Sequence, residues 1–406
     1  MRMKIVQEAV LAQKWWNFLD YKIEKQHLSK REEKEIQDFI EKEEFIPLCQ
    51  ELEKGFFPRN FPVKKTINKM GTGKKRVVYT FEGEEGIFLK FVAFHMFAYD
   101  DIFASNCYAF RRGFGVKEAI SRLLTDKRVA GSYCLKVDIS NYFNSIDVEL
   151  LVEKLFFMKQ RDEVLYEMLL RILREKRICE KGSIKEEAHG ALAGTPISPF
   201  LANLYLADTD AFFEKEGVLY FRYSDDILLF AESKELLELR KQQLYDKITQ
   251  LRLVINPKKE MFYRPGDAIE FLGFAYRDGE IDLSDATIQK IKDKIKRKAR
   301  ALRRWQKKKG LPAEKAAIGF IRTMNRKFYG GNLPEESEDE FCWSRWFFPN
   351  LTTDEGLKKV DVYMQQYIRY TVTGRHYKGN YRIRYETLKI WGYRSLVHEY
   401  YARKGR

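Results

Sequence analysis

Residues 219–230 read LYFRYSDDILLF, two short apolar runs joined at Ser224, Asp225 and Asp226. Apolar and aromatic residues on both sides of a small polar junction make the pattern of a β-hairpin that carries two carboxylates at its tip. An isolated Asp-Asp pair reads as an ordinary turn, since aspartate hydrogen-bonds its own backbone there. Here the flanks are hydrophobic enough to be buried, and two adjacent carboxylates beside a core repel one another unless something cationic neutralises them. A divalent metal ion meets that need.

A second stretch, residues 133–147, reads YCLKVDISNYFNSID. Leu135, Val137 and Ile139 alternate with Lys136, Asp138 and Ser140, which places Asp138 on the face of a strand opposite its apolar residues. Alone, that is an edge-strand aspartate facing water. Together with Asp225 and Asp226 it gives three acids on short strands of one antiparallel sheet, a set able to hold two Mg²⁺ ions about 3.5 to 4 Å apart. Between the two stretches, residues 190–210 read GALAGTPISPFLANLYLADTD. A Gly-Thr-Pro loop there feeds a helix starting near Ser198 and Pro199, with proline in the first turn where its missing N–H costs little.

Pattern and charge characterise the remaining segments. Residues 32–54 give an amphipathic helix with Ile36, Phe39 and Ile40 on its apolar side. Residues 66–81, TINKMGTGKKRVVYTF, form a basic glycine-containing turn running into a strand, and Lys74, Lys75 and Arg76 either grip phosphates or are simply solvated. The aromatic helix of residues 86–99 is core, with His95 packed inside it. In residues 107–120, CYAFRRGFGVKEAI, Arg111 and Arg112 beside glycines suggest a backbone-phosphate contact. A charged helix over residues 234–252 is followed by a turn at residues 254–259 and a strand over residues 269–276, IEFLGFAY. Residues 285–309 form a helix with Ile288, Ile291, Ile295 and Leu302 beneath a crowd of Lys and Arg. A second helix covers residues 313–329, and the acidic residues 335–340 form a loop. In residues 363–406, interleaved cations and aromatics either stack on unpaired bases or form a packed helical core.

With 406 residues, 45% of them hydrophobic, the chain can bury a sizeable core and suggests two or three subdomains. A net charge of +15 favours a polyanionic partner, nucleic acid or a membrane surface. No run approaches the roughly 18 apolar residues of a membrane span, and the N-terminal Gln, Glu and Lys interrupt any signal-peptide pattern, so the expected location is cytoplasmic. Five cysteines, odd in number and without a CxxC pair, indicate neither a disulfide framework nor a zinc site.

The ordered series KKRVVYTF, CYAFRRGFG, LKVDISNYF, GTPISPFLANLYL, FRYSDDILLF, INPKK and IEFLGF resembles the successive blocks of a reverse transcriptase, spanning residues 62–279. That resemblance implies an α+β right-hand polymerase with fingers, a ferredoxin-like palm and a helical thumb. The matching divisions are an N-terminal helical extension over residues 1–60, fingers over 61–130, palm with finger insertions over 131–284, and thumb with C-terminal region over 285–406. Asp138, Asp225 and Asp226 match the metal-binding acids, with Ile139 beside them in the metal site. Lys74 or Lys75 with Arg76 falls on the block that holds the incoming triphosphate. Phe143 matches the sugar-sensing aromatic, Lys259 the palm lysine near the nucleotide phosphates, and Phe271, Leu272 and Gly273 fall in the primer grip. The thumb position of the basic helix implies contact of Lys296, Arg297, Arg300, Arg303 and Arg304 with an A-form duplex.

Ala193 and Gly194 stand where most relatives have Gln-Gly, which puts nucleotide selection in question but not the metal chemistry. The implied partners are an RNA template, the cDNA product, dNTPs and two Mg²⁺ ions, with no membrane. Among prokaryotic members the SDD hairpin, AGTPISPFLAN and WGYRSLVHEYY look most like the stand-alone antiphage-defence reverse transcriptases of the unknown groups, and within these the type-2 class that copies a neighbouring non-coding RNA. A group II intron-type maturase is the alternative within the class; it expects a DNA-binding or nuclease extension, and no Cys-rich nuclease signature is present. An RNA-binding scaffold that kept the fold without catalysis is the alternative from another class.

Overall fold

The computed structural model describes residues 4–26, 28–68, 75–330 and 342–405. Lys74 and the acidic residues 335–340 lie outside the described residues. The described strands, in chain order, are β1 (Val63–Asn68), β2 (Lys75–Thr80), β3 (Tyr133–Asp138), β4 (Arg177–Glu180), β5 (Ser183–Glu186), β6 (Tyr220–Tyr223), β7 (Asp226–Ala231), β8 (Met261–Tyr263), β9 (Ile269–Phe271), β10 (Phe274–Arg277) and β11 (Glu280–Leu283). Contacts divide the chain into one unit made of Met1–Ala119 with Gly131–Pro265 and another made of Ile120–Ala130 with Gly266–Arg406.

In the first unit the strands align β6-β7-β3-β8, all neighbours antiparallel. Alternation decides which face is buried: Leu135 and Val137 are inside while Lys136 and Asp138 are only half-buried. Both β3 and β7 are covered by the helix Lys234–Gln250, whose Leu237, Leu244 and Ile248 are buried. A second sheet, β2-β1-β4-β5, pairs β1 with β2 antiparallel and touches β4 in parallel at Val63 and Cys179. The expected helix over residues 32–54 is two helices, Lys30–Glu41 and Phe45–Glu53, broken where Glu43 takes a left-handed φ of 55°. These helices close over Trp15, whose ring stacks on Phe91 at 4.1 Å.

In the second unit β9, β10 and β11 form a meander, and the helices Asp285–Lys308, Ala313–Tyr329 and Glu355–Thr373 pack pairwise. The single strand expected over residues 269–276 folds as a hairpin instead, because Leu272 and Gly273 both take positive φ, 52° and 90°, and reverse the chain. The division at Pro265–Gly266 precedes the boundary expected after residue 284 for a physical reason. β11 is tied to the helical region: the Ile281 amide donates to Thr352 Oγ1 at 2.7 Å and the Gly356 amide to the Asp282 carboxylate at 3.0 Å. Helix Asp285–Lys308 buries Ile288, Ile291, Ile295 and Ala299, one stripe at helical spacing, and turns its cations outward.

Candidate active site

The strand register sets the site. Asp138 ends β3 and Asp226 opens β7, and the two are directly opposed across the sheet. Asp225 lies in the two-residue turn between β6 and β7, closed by the Tyr223–Asp226 pair. Ser224 takes a φ of 61°, the sign expected at the first central position of a type II′ turn, where glycine is the usual occupant. The Ile139 amide donates to the Asp225 carbonyl at 3.1 Å, so the main chains carrying the acids are locked together.

Beneath the turn lies a buried ion pair. Arg222 and Asp210 are both fully buried, and Arg222 Nε donates to Asp210 Oδ1 at 2.7 Å. The guanidinium also donates to the Ser224 carbonyl and to Asn203 Oδ1, each at 3.2 Å, and Tyr220 Oη donates to Asp210 at 3.1 Å. A charge so placed is tolerable only when paired and hydrogen-bonded, and the network ties the strained turn to helix Ala207–Lys215. Sequence reasoning passed over Arg222, although an arginine between buried aromatics in YFRY signals a partner acid in the core.

Lysines answer the repulsion among the acids. Lys259 Nζ donates to Asp138 Oδ2 at 2.5 Å, and Lys136 Nζ lies 3.5 Å from Asp226 Oδ2. Lys136 carries no role in the sequence reading, yet its place two residues before Asp138 puts it on the same face. Burial pushes the Asp226 carboxyl up to about 6; Lys136 opposes the shift, while Asp225 and Asp138 add to it. Burial also raises Asp225, with Asp138 adding and Lys259 and Arg76 opposing. Asp226 Oδ1 is buried without a hydrogen-bond partner. Among the described residues no three acidic, His or Cys side chains converge as a ready cation cage. The donor set nonetheless fits a hard cation: oxygen ligands only, one of them unsatisfied, with the excess negative charge answered by the Lys136 and Lys259 ammonium groups.

Among the other expected site residues, Arg76 acts on the Asp225 charge and also reaches Phe143. Phe143 sits in the short helix Tyr142–Ser145, half-buried, with its ring edge-on to Phe110 at 6.2 Å and the Arg76 guanidinium 5.9 Å from its centroid. Gly190, also missed, holds that segment: the Ala191 amide donates to the Phe143 carbonyl at 2.8 Å, and a Cβ at Gly190 would lie 2.3 Å from the same oxygen. Lys75 is exposed beside Arg76 at the start of β2. Ala193 is buried, and its carbonyl accepts from the Tyr79 amide at 2.7 Å. Gly194 packs against the same strand, where a Cβ would meet Val78 at 2.9 Å. Both residues therefore join the loop to β2.

Arg111 and Arg112 both make contacts within the chain. Arg111 donates to the carbonyls of Ala104 and Cys107 at 2.7 and 2.9 Å, and Arg112 lies over the rings of Phe94 and Phe97 at 4.5 and 4.7 Å. Phe271, Leu272 and Gly273 form the β9–β10 turn of the second unit, with Trp346 Nε1 donating to the Leu272 carbonyl at 3.3 Å.

The family model for reverse transcriptase (RNA-dependent DNA polymerase) matches residues 67–276 and so covers both acid-bearing strands. The chain belongs to the reverse transcriptase family. Its curated relatives include two from Escherichia coli. The retron Ec83 reverse transcriptase is 29% identical over 32% of this chain and 43% of its own length, and the retron Ec86 reverse transcriptase is 25% identical over 41% and 49%. The chain thus spans about half the length of the curated relatives it matches. Among solved structures, apo telomerase from Candida tropicalis is 10% identical over 81% of this chain and 59% of that one, with a TM-score of 0.46. Its form truncated from the C-terminal domain is 13% identical over 55% of each chain, with a TM-score of 0.43. At that distance the telomerase likeness carries no weight. No described helix is long and apolar enough to cross a membrane.

Proposed function

We propose that the chain is an RNA-directed DNA polymerase that transfers deoxynucleotides to a primer 3′-hydroxyl, with Asp138, Asp225 and Asp226 holding two Mg²⁺ ions. The observation that carries this is the facing of Asp138 and Asp226 across β3 and β7, with Asp226 Oδ1 left unsatisfied. When bound, the ions supply a lowered pKa for the attacking hydroxyl and neutralisation of the leaving pyrophosphate. The chain's own residues position and neutralise: Lys259 and Lys136 offset the charge of the acids until cations replace them, Arg76 and Lys75 hold phosphates, and Phe143 borders the sugar. Most of the rate then comes from positioning and electrostatics, and no protein base is required.

On this reading the sheet β6-β7-β3-β8 is a ferredoxin-like palm, β1 and β2 belong to the fingers, and the helix Asp285–Lys308 is the core of the thumb. Supporting the palm assignment, β3, β6, β7 and β8 stand in the order 2-3-1-4 by chain position, with helices between β3 and β6 and between β7 and β8. The template is an associated non-coding RNA copied in the bacterial cytoplasm in antiphage defence, supported by the net charge of +15 and the block resemblance. Purified protein incubated with Mg²⁺, dNTPs and a primed RNA should extend the primer. No extension, despite tight RNA binding, favours the non-catalytic scaffold. Sequencing the RNA and DNA that copurify tests the template assignment.

A further inference from the structure

We infer that the second unit carries a separate site for a cluster of linked phosphates beside an unpaired base, the chemistry shared by the 5′-triphosphate end of an RNA and a free nucleoside triphosphate. The inference borrows from the polymerase reading only the premise that RNA is a partner. A cavity of about 710 Å³ lies between the end of helix Asp285–Lys308 and the segment that follows helix Glu355–Thr373. Arg300, Arg304 and Lys307 enter it from one helix face, spaced four and three residues apart, and Arg303 and Arg375 complete five cations. Among the described residues no carboxylate lines the cavity, and Arg300, Arg304, Lys307 and Arg375 have no acidic partner there. Like charges gathered without a counterion favour an anion from outside.

Three features show that the cavity is built rather than incidental. Arg303 Nη1 donates to the carbonyls of Thr371 and Val372, both at 2.9 Å, fixing one guanidinium in the wall. Gly374 is what admits it: a Cβ there would lie 2.0 Å from Arg303 Nη2, and its φ of 78° suits glycine. The loop beyond is pinned by Asn380 Nδ2 donating to the Arg375 carbonyl at 2.7 Å. Within that loop Tyr377 lies against Gly379, where a Cβ would meet its ring at 2.3 Å, yet 55% of the tyrosine is exposed. An exposed tyrosine ring lining a cavity with cations can serve as a stacking surface for a base.

Charge decides the ligand class. A backbone diester presents one negative charge per nucleotide, whereas a triphosphate concentrates several within a single cavity. Five cations without an acid match the latter, and the volume falls within the range of about 300 to 1,000 Å³ for small-ligand sites. The same cations used only to track a duplex would give no preference for a strand end.

The test measures anisotropy of short labelled RNAs that differ only in a 5′-triphosphate, 5′-monophosphate or 5′-hydroxyl, with the full chain in EDTA so that metal-dependent nucleotide binding is absent. Triphosphate RNA should bind at least about tenfold tighter than hydroxyl RNA. Arg304→Glu with Lys307→Glu should abolish the difference, and so should Arg375→Ala, the milder change. Tyr377→Ala should weaken triphosphate RNA while sparing competition by inorganic tripolyphosphate. Competition by ATP as strong as by triphosphate RNA assigns the site to free nucleotide; weaker competition assigns it to the RNA end. Equal affinity for all three ends overturns the inference, and does so without bearing on polymerase activity. Primer extension on the same preparation reads that activity separately.

Discussion

Asp138 and Asp226 face one another across β3 and β7, and each carboxylate is answered by a lysine, Lys259 on one side and Lys136 on the other. Two like charges beside a core are thus each offset by an ammonium group. On the polymerase reading, Asp225→Asn or Asp226→Asn keeps the side-chain shape but removes the charge that would hold Mg²⁺. Incorporation should vanish while RNA binding stays close to that of the unaltered chain. Near-normal synthesis by either variant in a primer-extension assay removes the metal assignment.

The raised carboxyl of Asp226 gives a second expectation. Its folded value of about 6 lies above the ordinary value of 3.8, so between those pH values the folded chain binds more protons than the unfolded one. Stability of the metal-free protein should therefore fall as pH rises from about 4 to about 6, by on the order of 2 to 3 kcal/mol from this group, and level off above. Mg²⁺ favours the ionised form, so the melting temperature it adds should be larger at pH 7 than at pH 5. Asp226→Asn should flatten both trends; an unchanged slope in that variant assigns the pH dependence to other groups.

The buried Arg222–Asp210 pair supports the acid-bearing turn. Asp210→Asn leaves a buried guanidinium without its counter-charge and should cost about 3 to 5 kcal/mol in chemical denaturation. Replacing both residues together by Leu and Met should recover most of that loss, since a well-packed apolar pair of similar volume is tolerated. Activity should remain impaired, because the Ser224 carbonyl has lost its donor. Full activity in the double variant would remove the supporting role.

How far these features could be read from the chain depends on whether the cause was local. The alternation through Leu135 and Val137 and the apolar flanks of Ser224 were local, so the acid-bearing strands were legible. The hairpin at Leu272 was not, because IEFLGFAY alternates well enough to look like one strand and only a single glycine marks the reversal. Gly190 has a role that exists only through its approach to the Phe143 carbonyl, 47 positions back along the chain, and no local pattern encodes that. Arg111 likewise has contacts that the sequence does not announce: its guanidinium donates to the carbonyls of Ala104 and Cys107, which no pattern in CYAFRRGFG marks.

For the basic helix, Arg297 and Arg300 are exposed opposite the stripe formed by Ile288, Ile291 and Ile295. Charge reversal at Lys296, Arg297 and Arg300 should weaken RNA binding alike for unrelated sequences. The dependence of log affinity on log salt should become shallower by about one unit for each phosphate that the helix no longer neutralises. Weakening confined to one sequence would point to base readout instead of backbone recognition.

Phe143 offers the sharpest division between a functional and a packing role. Its ring is half-buried, with Phe110 at 6.2 Å and Arg76 at 5.9 Å, rather than enclosed like its neighbour Tyr142. A ring beneath the incoming sugar would collide with a 2′-hydroxyl, and such clashes cost about 1 to 3 kcal/mol, about tenfold to two-hundredfold in discrimination. Phe143→Ala should therefore admit ribonucleotides and keep part of the dNTP activity. As a half-buried side chain, it should lose less than the about 3 to 5 kcal/mol typical of truncating an enclosed phenylalanine. Gly190→Ala is the companion change: it leaves the ring in place but presses on the Phe143 carbonyl from 2.3 Å, so both dNTP incorporation and melting temperature should fall. Melting temperature and rNTP incorporation are read on the same preparations. A folded Phe143→Ala variant that still rejects ribonucleotides makes the ring a packing element and leaves sugar selection to another residue.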